Sequence, residues 1–135
     1  MADAALTVKS YLIIDSTLIA MLGPMSVKAG GLPPAFDPAT GPVVVVALHT
    51  GHLHEESPAL ALEFMRITVW AGANQFLEAW NAYARIQKLL ASVNMINVSP
   101  YGFIVRSTEM SHTPMTDSET GWATITGIYG MEIHD

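Results

Sequence analysis

The sequence predicts an α+β fold: an antiparallel sheet of four to five strands with two amphipathic helices packed on one face. Three observations carry this. Apolar residues recur at helical spacing in two separated stretches, 3–22 and 76–93. Between and after them lie β-branched or alternating runs bounded by Gly, Pro, Ser and Asn. Those runs follow one another through short polar connections, as hairpins do, instead of alternating one by one with helices as a parallel sheet requires. The 135 residues suit one domain, 1–135, with a long Gly/Pro-rich loop at about 29–42.

Residues 3–22 read as one helix. Asp3 is placed to cap it; Tyr11, Ile14, Leu18, Met21 and Leu22 recur at three- and four-residue steps; Gly23-Pro24 stops it. The stripe widens to Leu12, Ile13 and Ile19, so more than one side of this helix should be covered. Residues 23–42 carry a short strand near 25–28 and then an irregular segment, expected to be an arm or contact loop. The run from Val43 to Leu48 reads as a strand covered on both faces, and His49 to Ser57 as a polar turn. Over 62–70, Met65, Ile67 and Val69 face one way while Phe64, Arg66, Thr68 and Trp70 face the other.

Asn74 is placed to cap the second helix. Its stripe is Phe76, Trp80, Tyr83, Ile86, Leu90 and Val93, with Arg85 and Lys88 off the stripe toward the C-terminal end that the helix dipole favours for cations. A weak strand near 95–98, a strand at 103–110, a polar turn at 111–121 and a last strand at 122–133 complete the order. Gly127 and Gly130 mark bulges or close backbone approaches in that last strand.

Composition excludes several functions. Half the chain is apolar and 13% is charged, against about 25% in typical soluble domains, so it is not disordered. The net charge of −6 argues against a general nucleic-acid binder, which needs a basic face. With no cysteine there is no disulfide framework, thiolate zinc site or Cys nucleophile. No secretory signal and no apolar run of spanning length is present, so the chain is expected to be made in a cytoplasm without a transmembrane helix. So few charges on so small a body imply that other copies cover part of its surface.

The densest polar constellation is His49, His52 and His54 followed by Glu55 and Glu56. Imidazoles and carboxylates are zinc ligands, but the spacing lacks a helical i, i+4 pair, so a polar turn is the plainer reading and a metal-binding enzyme the alternative. His112 and His134 stand alone, and Asp15, Glu63, Glu78, Glu109 and Glu132 are scattered over different elements with no pairing for acid–base work. No nucleophile elbow or phosphate loop occurs. Trp70, Trp80 and Trp122, without interleaved Lys or Arg, read as core or interface anchors, and the eight methionines as soft packing. The expectation is a structural protein and not an enzyme, with no cofactor.

Four segments resemble the tail terminator proteins of long-tailed bacteriophages, also described as tail-completion or tail-to-head joining proteins. They are the opening helix from Ala4 through Leu22-Gly23; the Pro/Gly-rich segment leading to Pro42-Val43-Val44-Val45; the strand Arg66-Ile67-Thr68-Val69-Trp70-Ala71; and the helix around Glu78-Ala79-Trp80-Asn81-Ala82-Tyr83. The resemblance covers roughly 4–133, and the stretch from Ile67 to Trp80 is its most specific part.

That resemblance implies a homo-oligomeric ring, usually of six copies, at the head-proximal end of a virion's tail. Such a ring stops tube polymerisation and joins the tail to the head connector or stopper, with the major tail tube protein as its other partner. DNA passes the lumen without specific binding, no membrane is involved, and assembly takes place in the host cytoplasm. A head-closure or tail tube component is the alternative within the same class. Exposure and composition nominate Leu32, Pro33 and Phe36 of the loop, His52, His54 and Glu55 of the polar turn, and Phe64, Trp70 and Trp122 as subunit or partner contacts.

Overall fold

The computed structural model describes residues 4–134 except 25, 35, 55–56 and 99–101; of 50–54 and 57–62 it describes the backbone alone. The elements run α1 (Ala4–Leu12), α2 (Ser16–Met21), β1 (Val27–Ala29), a 3₁₀ turn (Pro38–Thr40), β2 (Val43–His54), β3 (Ser57–Ala73), α3 (Phe76–Ala91), β4 (Ile96–Asn97), β5 (Phe103–Thr116) and β6 (Trp122–His134). The sheet has six strands in the order β1-β2-β3-β6-β5-β4. The α+β class holds, but six strands replace the expected four to five. β1 and β4, at the rims, are three and two residues long. β1 runs parallel to β2, and every other pairing is antiparallel.

The opening helix is two helices. Asp15 sits inside the apolar stripe and caps α2, accepting a hydrogen bond from the Leu18 amide at 2.7 Å. An N-cap residue has extended backbone, so the helix must stop before it. Asp15 also takes both arms of Arg85, at 2.9 and 2.7 Å, tying the α1–α2 corner to α3. The Arg85 guanidinium holds the Asp15 carboxyl below its usual range. Tyr11 adds a second tie by donating to the Leu89 carbonyl. Asp3 lies outside the described residues. Asn74 does not cap α3: it takes a positive φ of 62°, and Gln75 occupies the cap position without a side-chain bond to the helix.

Both hairpins are longer than expected. β2 and β3 stay paired through His54 and Ser57, and β5 continues through the polar stretch to Thr116. Both stretches are polar, yet each keeps a paired neighbour; pairing context outweighs residue type there. The helix-side face of the sheet is read across in rows: Val44, Val69, Ile125 and Pro114; then Val46, Ile67, Gly127 and His112; then Leu48, Met65, Tyr129 and Glu109. Val8, Leu12, Leu18, Ala82, Tyr83, Ile86 and Leu90 from the helices fill the core above these rows. Among the described residues no helix is long and apolar enough to cross a membrane.

Candidate functional site

The richest polar cluster lies where α3 crosses β6 and β5. Gly127 interrupts the helix-side row of β6, and the Tyr83 ring fills the space a side chain would have taken: a Cβ at Gly127 would sit 1.9 Å from the Tyr83 hydroxyl oxygen. That hydroxyl donates to Glu109 Oε2 at 3.0 Å, as does Tyr129 at 2.9 Å and Gln87 Nε2 at 2.8 Å. The two tyrosine oxygens are themselves 3.0 Å apart, so two protons serve three short contacts. His112 Nδ1 lies 2.6 Å from Glu109 Oε1. Trp80 stacks nearly parallel on Tyr83, with ring centres 5.9 Å apart, and its indole tilts against His112.

Burial works to raise the Glu109 carboxyl, but the hydrogen bonds from Gln87, His112, Tyr129 and Tyr83 outweigh it and bring it down to about 2. Burial, with the carboxylate beside them, pushes both tyrosine hydroxyls well above their usual value. A carboxylate held that low is a poor proton donor or acceptor near neutral pH, where a general acid or base works best with a matched value. The arrangement instead locks three elements together. A cavity of about 390 Å³ opens beside it between Gln87, Leu90, Ser107, Glu109 and Tyr129.

On the opposite face of the sheet, the loop after β1 folds back on its own chain. Phe36 is buried and meets Trp122 edge-on at 5.1 Å; Trp122 meets Trp70 in the same way at 6.3 Å. Leu32 and Pro33 are half-buried. Leu32, Trp70, Arg66 and Met115 wall a cavity of about 400 Å³. Phe64 is half-buried and walls another of about 320 Å³ with Arg106, Met110 and Glu132. The structure thus brings Phe36, Trp70 and Trp122 into one cluster, with Leu32 at its margin and Phe64 apart from it. The backbones of His52 and His54 lie in β2, Glu55 and Glu56 lie outside the described residues, and the described residues hold no metal-ligating group of three.

Sequence reasoning missed the Glu109 cluster. Glu109 and His112 have opposite strand parity, and only the bulge between Glu109 and Ser111 puts them on one face. Gly127 in a strand was the one available signal, and the close approach expected there is what the structure has; at Gly130 a Cβ would meet nothing nearer than 3.6 Å.

No protein-family model and no curated protein matches the chain. A solved virion structure does. One chain of the virion of a native gene transfer agent (GTA) particle matches with a TM-score of 0.71, covering 99% of this chain and 98% of that one at 19% identity. At that identity the likeness is one of fold, and it extends from end to end of both chains.

Proposed function

We propose that this chain is a virion structural protein that closes into a ring, a hexamer by its resemblance to tail terminators, at the head-proximal end of a phage-like tail. There it ends tube polymerisation and joins the tail to the head connector. The observation that carries the reading is the end-to-end fold match to a chain of a gene transfer agent virion. Three further observations support it. Large apolar side chains, among them Ile14, Leu77, Met110 and Met115, stand exposed on a chain poor in charge. Among the described residues, the dense polar cluster around Glu109 locks elements together and holds its carboxyl well below the usual range. The acidic balance suits a lumen that DNA passes without sticking.

The reading assigns no catalysis. A ring needs only heterologous contacts that close, one face that docks on the tube and another that refuses a further tube ring. The test is a tube-growth assay with purified tail tube protein. Added chain is expected to form rings by electron microscopy, to sit at one tube end and to shorten the tubes. A monomer at high concentration that leaves tube length unchanged overturns the reading.

A further inference from the structure

A cavity of about 390 Å³ lies under the C-terminal half of α3, between Gln87, Leu90 and Ala91 of the helix and Ser107, Glu109 and Tyr129 of the sheet. Local periods bring these residues together. Leu90 and Ala91 follow Gln87 by three and four residues and share its helix face. Ser107 and Glu109 are two apart on β5, opposite Met131 and Tyr129 of β6, so both turn toward α3. β4 pairs with β5 only at Phe103 and Ile104. At Ser107 and Glu109 the described residues place no strand beyond β5, which leaves that flank of the cavity open.

The hydrogen bonds around it are one-sided. Gln87 Nε2 and the hydroxyls of Tyr83 and Tyr129 all donate to Glu109 Oε2. What remains on the lining residues is lone pairs: those of Gln87 Oε1, of the Tyr129 oxygen and of Glu109 Oε1, which meets only His112 Nδ1. Ser107 Oγ is buried and has no hydrogen-bond partner among the described residues. A buried hydroxyl left unpaired is costly, so a donor that reaches it is favoured.

The charge is one-sided as well. The Glu109 carboxyl is ionised near neutral pH, and no Lys or Arg lines the cavity. Arg85 turns to Asp15 and Arg106 to Glu132, while Lys88 is exposed and stands outside the lining. A negative cavity with free acceptors selects a cation that carries several N–H donors. One carboxylate is too few for calcium or zinc, and the described residues hold no metal-ligating group of three. Leu90 and Ala91 supply an apolar wall that suits an aliphatic stem. At about 30 Å³ per water, the space equals roughly thirteen waters, ample for an ammonium on a short carbon chain.

We infer that this cavity binds a primary ammonium group on an aliphatic chain, with its N–H bonds directed to Glu109 Oε1, Ser107 Oγ and Gln87 Oε1 and its carbons against Leu90 and Ala91. A lysine side chain of a partner protein and a free aliphatic amine share this chemistry. The site is complete within one chain, so it does not depend on the ring reading.

Binding is measured on the full chain by NMR, from the Gln87 side-chain amide and the backbone amides of Ser107 and Glu109, at constant ionic strength. n-Butylammonium should saturate these shifts at roughly millimolar concentration. n-Butanol, of the same size but uncharged, should bind at least about tenfold more weakly. Ser107→Ala removes an unpartnered atom, is expected to fold, and should weaken n-butylammonium about tenfold. Glu109→Gln should abolish the binding, and Ser107→Ala carries the test if that variant does not fold. Nα-acetyl-lysine N-methylamide, a lysine as a protein presents it, separates the two sources. Saturation at a similar concentration assigns the site to a partner's lysine; its exclusion while n-butylammonium binds assigns the site to a free amine. No saturable shift with n-butylammonium up to about 100 mM, equal affinity for n-butanol, or an affinity that Ser107→Ala leaves unchanged would overturn the assignment and leave the cavity to water.

Discussion

Replacing Gly127 by Ala tests whether the Glu109 cluster depends on the gap in β6. An alanine Cβ there would lie 1.9 Å from the Tyr83 hydroxyl oxygen, 2.8 Å from the ring carbon that bears it and 2.9 Å from the Tyr129 ring. The Tyr83 ring is fully buried and stacked under Trp80, so it cannot swing aside without leaving Glu109. Overpacking costs about 1–3 kcal/mol. Losing a hydrogen bond to a charged group costs about 1.5–3 kcal/mol. Together the expected loss is roughly 3–5 kcal/mol. With an unfolding entropy of ~2.1 cal/mol/K per residue, a chain of 135 residues loses about 1 °C of Tm for each 0.28 kcal/mol, so Tm should fall by about 10–18 °C.

Thermal and urea unfolding measure this, with Gly130→Ala as the control. A Cβ at Gly130 meets nothing nearer than 3.6 Å, so that variant should stay within about 2 °C of wild type. Tyr83→Phe removes the atom that the new Cβ strikes first. In the Tyr83→Phe background Gly127→Ala should therefore cost at least about 1 kcal/mol less than in the wild type. Equal losses for the two glycine variants, or strict additivity of Gly127→Ala with Tyr83→Phe, would refute the reasoning.

Two further perturbations follow from the charged groups. The Glu109 carboxyl stands at about 2 in the fold against 4.5 unperturbed, so its contribution is fully present above about pH 4.5 and is lost as pH falls toward 2, by no more than about 3 kcal/mol. Unfolding free energy measured across that window should drop steeply for wild type and more gently for Glu109→Gln; parallel curves would count against the network. Asp15→Ala removes both the α2 cap and the partner of Arg85 and should cost about 2 kcal/mol, whereas Asp15→Asn keeps the cap and should cost about half as much. Equal Tm values for those two variants would mean the cap contributes nothing.

What the sequence disclosed and what it hid divide along physical lines. Periods survive in sequence: the α3 stripe, the alternation of 62–70 and the apolar run at Val43 are local patterns, and each element formed where its pattern stood. Events that a single residue decides were harder to see. Asp15 cuts a helix because its side chain prefers the Leu18 amide and the Arg85 guanidinium, and the second of these is 70 residues away. The stretch from Ser111 to Thr116 looked like a turn because it holds Ser, His, Thr and Pro; on an edge strand whose outer side is free, Pro114 interrupts no existing ladder bond. The Glu109 cluster draws on α3, β5 and β6, and no window short enough to show a period contains it. The loop at 29–42 read as an arm or contact loop, and within this chain its Phe36 meets Trp122 edge-on.

The polar cluster and the apolar pocket between Phe76, Trp80, Pro114 and Ile125 are parts of one construction. Trp80 is held by its stack on Tyr83 and its tilt against His112, and both of those rings are held by Glu109. Glu109 therefore sets the wall of the pocket between Phe76, Trp80 and Pro114 without lining it. A partly exposed carboxylate that collects hydrogen bonds from Tyr83, Gln87 and Tyr129 and lies 2.6 Å from His112 makes sense here as the rigid footing of the Trp80 wall. In that role its low pKa is useful, because the footing stays charged and bonded at any pH well above about 2.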